Sequence, residues 1–216
     1  MTGPDFLGAT RTFYDAVAAD YAERFHDELA AKPLDRALLA AFAELVLSAG
    51  GGKVADLGCG PGRMTAHLRE LGLSVYGVDL SPRMVELARR ANPQLRFEEG
   101  SMTELGLPDG ALAGIVSWYS IIHTPGDLLP EVFAEFHRML VPGGHLLVAF
   151  QVGDESVYLA RPLGHPVALD FHRQQPDRIA ELLSEAGLSL EARLLREADG
   201  RGMETTPQAF LLARKS

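Results

Sequence analysis

Cysteine is almost missing from this chain: Cys59 is the single one among 216 residues. One thiol excludes a disulfide framework within the chain and a zinc site built on cysteines. No apolar run reaches the ~18 residues of a membrane-spanning helix. No cationic and apolar leader opens the sequence. The expectation is a cytoplasmic protein with no membrane partner. Long basic clusters are missing too. The formal charge is −9, whereas binding a nucleic-acid backbone takes many Lys and Arg contacts. Nucleic acid is therefore disfavoured as a partner. Arg89-Arg90 and the stretch Arg193 to Arg201 are short, interspersed with acids, and read as solvated surface. No internal repeat or low-complexity tract occurs, and nothing in the sequence speaks to oligomeric state.

What is present is apolar bulk and a glycine cluster. Apolar residues make up 47% of the chain, ample for a core. The length suits one domain, or one domain with a small addition. The chemistry gathers at Val54-Ala55-Asp56-Leu57-Gly58-Cys59-Gly60-Pro61-Gly62-Arg63. The first half has the pattern of a short buried strand. The second carries three glycines at alternate positions, and a helical pattern begins at Met64. Strand, glycine turn and helix in that order make a nucleotide-type site. Glycine lets the chain reverse tightly and lets a ligand approach the backbone. Further on, Tyr76-Gly77-Val78-Asp79-Leu80 reads as a second strand ending in an acid that can accept both hydroxyls of a ribose. A dinucleotide fold requires Gly-x-Gly-x-x-Gly, and its third glycine would fall on Arg63. Asp56, two residues before the first glycine, suits a ligand with an ammonium group and would repel a pyrophosphate. An NAD-dependent oxidoreductase is thus the weaker alternative.

The string Asp56-Leu57-Gly58-Cys59-Gly60-Pro61-Gly62 closely resembles the first motif of class I S-adenosylmethionine (SAM)-dependent methyltransferases. Leu140-Val141-Pro142-Gly143-Gly144, ahead of an apolar strand, resembles the same family. The resemblance covers nearly the whole chain from Phe13. It implies a Rossmann-like α/β fold: a mostly parallel seven-stranded sheet with helices on both faces, closed by a hairpin with one antiparallel strand. It implies SAM as cofactor, S-adenosylhomocysteine (SAH) as product and a small-molecule acceptor. Similar stand-alone bacterial enzymes serve secondary metabolism, with aromatic or indole-alkaloid acceptors among them. A SAM-binding sensor or partner-stabilising module without chemistry is the rival from another class.

By the same resemblance, the cofactor would be touched by Asp56, Gly58, Gly60, Gly62, Arg63 and Asp79. Leu80, Met84, Ser101, Met102, Ser117 and Tyr21 complete that set. Met84 lies near the adenine in the family, yet a lone Met at helical spacing reads equally as core. Ser101 stands where an acid is common, which makes Met102 the better adenine contact. Phe13-Tyr14-Asp15 and Tyr21 look like the Tyr-Asp…Tyr pattern that precedes the SAM domain in many small-molecule methyltransferases. That pattern makes residues 1 to 33 an N-terminal helical lid, with Tyr14 and Phe25 in the acceptor pocket. A plain packed helix is the alternative.

Periodicity places helices over Thr10 to about Leu29, Leu34 to Ser48, Met64 to Leu71, from Pro82 after a Ser81 cap, Gly126 to Leu140 with Asp127 as cap, and Pro176 to Ala186. Residues 1 to 9 lack periodicity. Strands are predicted at Lys53 to Asp56, Ser74 to Asp79, Leu95 to Glu99, Ala113 to Ser117, His145 to Phe150, Leu188 to Leu195 and Gln208 to Ala213, with a polar loop over Glu197 to Pro207. The SAM-binding methyltransferase domain that the resemblance implies spans 34 to 216. Its residues 151 to 173 lose periodicity and read as an insertion covering the acceptor.

The end of the fourth strand, Ser117-Trp118-Tyr119-Ser120-Ile121-Ile122-His123, faces the acceptor side by the strand-end rule for open α/β sheets. Trp118 and Tyr119 can bound an aromatic acceptor and screen a sulfonium by cation–π contact. His123 can take a proton near neutral pH, although a lone His is often simply structural. With Tyr14, these three are the residues expected nearest the chemistry. In the insertion, Tyr158, His165, Phe171 and His172 are acceptor-side candidates, and its two histidines compete with His123 as base. Ser117 replaces the carboxylate of metal-dependent catechol methyltransferases, and no Asn-Pro-Pro-Tyr motif occurs, so no metal is expected.

Overall fold

A computed structural model describes residues 5–199 and 204–216. The chain passes through α1 (Asp5–Arg24), a 3-10 turn (Leu29–Ala31), α2 (Pro33–Ser48), β1 (Lys53–Leu57), α3 (Arg63–Glu70), β2 (Ser74–Asp79) and α4 (Pro82–Ala91). Then come β3 (Phe97–Glu99), β4 (Leu112–Trp118), a 3-10 turn (Ile121–His123), α5 (Leu129–Met139) and β5 (Leu140–Gln151). β6 (Ser156–Ala160), β7 (Ala168–His172), α6 (Pro176–Glu185), β8 (Leu188–Arg196) and β9 (Gln208–Lys215) follow. Seven strands form one sheet in the order β3-β2-β1-β4-β5-β9-β8. The first five are parallel, and β9 runs antiparallel to both β5 and β8. This is the predicted seven-stranded α/β sheet.

Helices cover both faces, so the inner strands read as unbroken apolar runs rather than alternating ones. Period two along β5 sends Leu146, Val148 and Phe150 toward α5 and α6, while Leu147 points to the side of α2 and α3. Phe133 and Phe136 of α5 and Phe42 of α2 are fully buried, each stabilising the fold by about 1.5–3 kcal/mol. Strand order reverses between β1 and β4. Connections leave such a switch point in opposite directions and open a crevice beyond the strand ends. Leu57, Asp79 and Trp118 end the three strands that meet there.

α1 is fastened at that crevice. Ser81 caps α4 by accepting the Met84 N–H at 3.1 Å, and its hydroxyl donates to Asp15 of α1 at 2.5 Å. Phe13 and Val17 of α1 bury themselves against Leu169 of β7.

Several expectations need correction. α1 already starts at Asp5, since residues 5–9 continue the helix, and it stops at Arg24. Residues 1 to 4 and 200 to 203, Arg201 included, lie outside the described residues. α5 begins at Leu129, and Asp127 does not cap it: Leu128 holds the cap position without a side-chain bond. β5 starts at Leu140, because the Pro142-Gly143-Gly144 segment is a bulge within the ladder rather than a turn before it. β3 starts at Phe97, with Leu95 held in a turn by Asn92. Residues 151–173 lose periodicity yet contain two strands. β6 and β7 pair as a hairpin, and a strand exposed along its whole length carries no alternation for the sequence to reveal.

Candidate active site

The glycine turn is stitched onto β2. Gly58 and Cys59 both donate to the Val78 carbonyl, at 2.8 and 3.0 Å. Gly60 donates to Asp79 Oδ2 at 2.7 Å, and Ser81 donates to Asp79 Oδ1 at 2.8 Å. Each Asp79 oxygen keeps a lone pair for a ligand. Burial pushes the Asp79 carboxyl up to about 6, against the pull of the Ser81 and Gly60 N–H groups. Gly58 has φ +78°, and a Cβ there would lie 2.3 Å from Cβ of Ser120. Ser120 in turn donates to the Leu57 carbonyl at 2.7 Å and bonds Ser117 at 2.6 Å, so the end of β4 braces the end of β1.

Beyond the strand ends lies an open cleft of about 800 Å³. Gly58, Gly60 and Asp79 form one wall, and Leu80, Met84, Ser101 and Met102 form the next. A second lobe of about 890 Å³ adjoins it, walled by Phe25, Arg63, Phe171 and Gln151. Tyr14, Tyr21, Trp118 and Tyr119 line both lobes and mark their boundary.

His123 sits at this boundary, 8% exposed, on the 3-10 turn after β4. Its Nε2 lies 2.7 Å from the Tyr14 hydroxyl. Tyr14 and Phe171 pack edge-on against its ring, at centroid distances of 5.1 and 4.8 Å. Burial drives its pKa down to about 3. Burial likewise raises the Tyr14 and Tyr119 phenols above their usual range. Tyr119 adopts φ +56°, and its buried hydroxyl has no hydrogen-bond partner among the described residues.

Not every expected residue reaches the cleft. Period two along β1 turns Asp56 to the face of Val54, toward α3, where it accepts the Thr65 hydroxyl at 2.6 Å. Fully buried there, its carboxyl is pushed up to about 7. Gly62 faces the Phe97 ring, and Ser117 is buried against Ser120. Arg63 borders the second lobe, with Glu28 at 3.2 Å and the Phe25 ring at 5.7 Å. In the hairpin, Phe171 alone lines a lobe. Tyr158 points outward at 67% exposure, His165 pairs with Asp20 at 2.6 Å, and His172 bonds Ser156 at 2.7 Å. The latter two are tied to partners away from the cleft.

The sequence reading missed the ion network beneath the second lobe. Glu204 binds Lys32 and Arg196, and Arg196 also pairs with Asp35 at 3.0 Å. Lys32 reaches Glu28 at 2.9 Å. Arg196 and Lys32 hold the Glu204 carboxyl down to about 2 against its burial. Glu28, Glu204 and Gln208 all border the lobe. Glu28 and Lys32 stand one helical turn apart, but Glu204 meets Lys32, and Arg196 meets Asp35, only across long stretches of chain. Among the described residues, no cluster of three or more His, Cys, Asp or Glu could hold a metal ion.

Residues 54–144 match a family described as a methyltransferase domain. An uncharacterized methyltransferase of Mycobacterium bovis is 34% identical over 128 residues, covering 58% of this chain and 50% of that protein. The chain spans about half the length of the first curated relatives it matches. Among solved structures, a Burkholderia thailandensis 1,6-didemethyltoxoflavin-N1-methyltransferase, with 1,6-didemethyltoxoflavin and S-adenosylhomocysteine bound, superposes with a TM-score of 0.72 at 23% identity, covering 100% of this chain and 92% of that one. The DhpI–SAH complex gives a TM-score of 0.75 at 20% identity, covering 100% and 99%. At such identities the likeness establishes the fold. Residues 54–144 are thus similar in sequence to a methyltransferase domain, and the chain as a whole shares the fold of solved methyltransferases.

Proposed function

We propose that this protein transfers a methyl group from SAM to a small-molecule acceptor. The observation that carries the reading is the pairing of Asp79 with Gly60 at one wall of a two-lobed cleft. An acid that fixes the glycine turn and still offers a lone pair on each oxygen suits a ribose diol. The backbone at Gly60 has no Cβ, and the nearest atom to one would be a Tyr21 ring carbon at 4.0 Å, so a ligand can lie close to it. Met84 and Met102 supply apolar surface for an adenine beside Leu80 and Ser101. SAM bound in this lobe supplies a methyl already activated by a cationic sulfur.

The chain's own tasks are then alignment and exclusion of water. Tyr14, Tyr21, Trp118 and Tyr119 offer aromatic faces where the lobes meet, suited to a cation. The second lobe would take the acceptor. Its Phe25, Trp118 and Phe171 walls favour a flat, aromatic or natural-product-type molecule, an indole included, and α1 with the β6–β7 hairpin would cover it. His123 as a free general base is disfavoured by its low pKa and by the Tyr14 hydroxyl that occupies its Nε2. A cytoplasmic location is in keeping with the absence, among the described residues, of any helix long and apolar enough to cross a membrane.

The test is calorimetric titration with SAM, SAH and NAD in parallel, followed by an acceptor screen read by SAH release. Binding of SAM and SAH with release of SAH supports methyl transfer. Binding without release across a broad panel would favour a SAM sensor, and binding of NAD alone would overturn the cofactor.

A further inference from the structure

We propose that the open edge of β6 is an interface between two copies of this chain. Two β6 strands pair antiparallel about a two-fold axis at Tyr158 and join their hairpins into one continuous sheet. The inference does not depend on the cofactor or the acceptor.

An edge strand offers unpaired N–H and C=O groups to any extended chain, and soluble proteins blunt such edges with charge, proline or bulges. The outer strands of the large sheet follow that rule. β3 carries Glu98 and Glu99, while β8 carries Glu191 and Arg193 and has a register shift between Leu190 and Ala192. β6, Ser156-Val157-Tyr158-Leu159-Ala160, has no charge, no proline and no register shift, and every residue of it is exposed. Among the described residues, β7 is its only strand partner.

The backbone sets the register. Arg161 donates to the Val167 carbonyl at 2.9 Å, one step beyond the pairing of Ala160 with Ala168. Bonded and non-bonded pairs alternate along an antiparallel ladder. Val157 and Leu159 therefore turn their backbone groups to β7, and Ser156, Tyr158 and Ala160 turn theirs to the open edge. With Tyr158 on the axis, Ser156 faces Ala160 of a second copy and Tyr158 faces its own counterpart. The whole strand then pairs, and each of these pairs exchanges two backbone hydrogen bonds. An axis at Val157 would set Ala160 against Asp154, outside the strand. An axis at Leu159 would set Ser156 against Pro162, which has no N–H.

The side chains are self-complementary in the same register. Val157 and Leu159 share the face on which Phe171 and Leu169 pack toward α1, yet they are 37% and 40% exposed. Across the axis Val157 meets Leu159 of the second copy, twice. Glu155 precedes the strand and Arg161 follows it; both are exposed, and neither has an ion pair among the described residues. The register sets Glu155 of each copy opposite Arg161 of the other. The order acid, apolar run, base needs the reverse order opposite it, and this strand run antiparallel supplies that order. A second copy is therefore the occupant that fits.

The experiment is sedimentation of the full chain over a range of concentrations, and a reversible monomer–dimer equilibrium is expected. Tyr158→Pro removes the outward N–H at the axis and no bond to β7. It should be monomeric with a thermal midpoint near wild type. Glu155→Arg and Arg161→Glu each set like charges opposite one another, and each alone should weaken the dimer about tenfold. Mixing those two variants should restore wild-type association, because each then faces the opposite charge; a misfolded variant could not do so. A chain that stays monomeric at every concentration overturns the proposal. So does a dimer that Tyr158→Pro leaves intact, or a mixture that associates no more tightly than either variant alone.

Discussion

Asp79 Oδ2 accepts the Gly60 N–H at 2.7 Å, so the acid that ends β2 holds the glycine turn that follows β1. Two segments far apart in the chain thereby become one wall of the cleft.

Asp79→Asn should therefore act on cofactor affinity. Hydrogen bonds to a charged group are worth about 1.5–3 kcal/mol, or roughly tenfold to a hundredfold in Kd. Calorimetry with SAM is expected to show a loss in that range, accompanied by a lower thermal midpoint, since an amide can accept from only one of the Gly60 and Ser81 N–H groups. Unchanged affinity would remove Asp79 from the site.

Asp56 makes a stability prediction with a definite sign. Its folded carboxyl titrates at about 7, above the ordinary 3.8. Between those values the folded chain binds more protons than the unfolded one, so stability falls as pH rises through that window. The penalty is absent below pH 4 and complete above pH 7, on the order of 1–4 kcal/mol. Asp56→Asn should gain on wild type as pH rises from 4 to 8, read by denaturant midpoints. A constant difference across that range would contradict the assignment.

His123 carries the opposite sign. Its folded pKa lies near 3, below the ordinary 6.5. Its contribution to stability is complete above pH 6.5 and is lost as pH falls toward 3, because the unfolded chain takes up the proton first. Turnover should show no histidine inflection near pH 6.5. His123→Gln is expected to lower kcat about tenfold, the loss of one net hydrogen bond to Tyr14, and to leave SAM affinity unchanged. Full turnover in that variant would remove His123 from the chemistry.

Arg196 joins Glu204 and Asp35 with 12% of its side chain exposed, and Asp35 is 2% exposed. Removing one member leaves the others uncompensated, which costs about 3–5 kcal/mol for fully buried pairs. Arg196→Ala should cost about 2–3 kcal/mol in chemical denaturation, less than that figure because the network is partly wet. Faster hydrogen exchange around Lys32 is the accompanying expectation. A loss under 0.5 kcal/mol, with unchanged exchange, would show that the network does not fasten the second lobe.

The sheet, the glycine turn, Asp79 and the Ser81 cap were legible in the sequence because each rests on local chemistry. Apolar runs make buried strands, glycines permit φ near +54° and +78° at Gly60 and Gly58, and a Ser before a Pro starts a helix. The aromatic boundary was legible as well, through Trp118 and Tyr119 at a strand end and Tyr14 and Tyr21 on one helix. What only the tertiary structure decided is where side chains meet. Strand pleat turned Asp56 away from the cleft and toward Thr65. The hairpin sent Phe171 inward and Tyr158 outward, and gave His165 and His172 partners of their own. Residues 109 positions apart were joined as Tyr14 and His123, and Glu204 was brought onto Lys32 and Arg196. Local propensity and periodicity are set within a few neighbours of each residue. Burial, hydrogen-bond partner and pKa depend on residues far along the chain, and those are fixed only when the sheet is assembled.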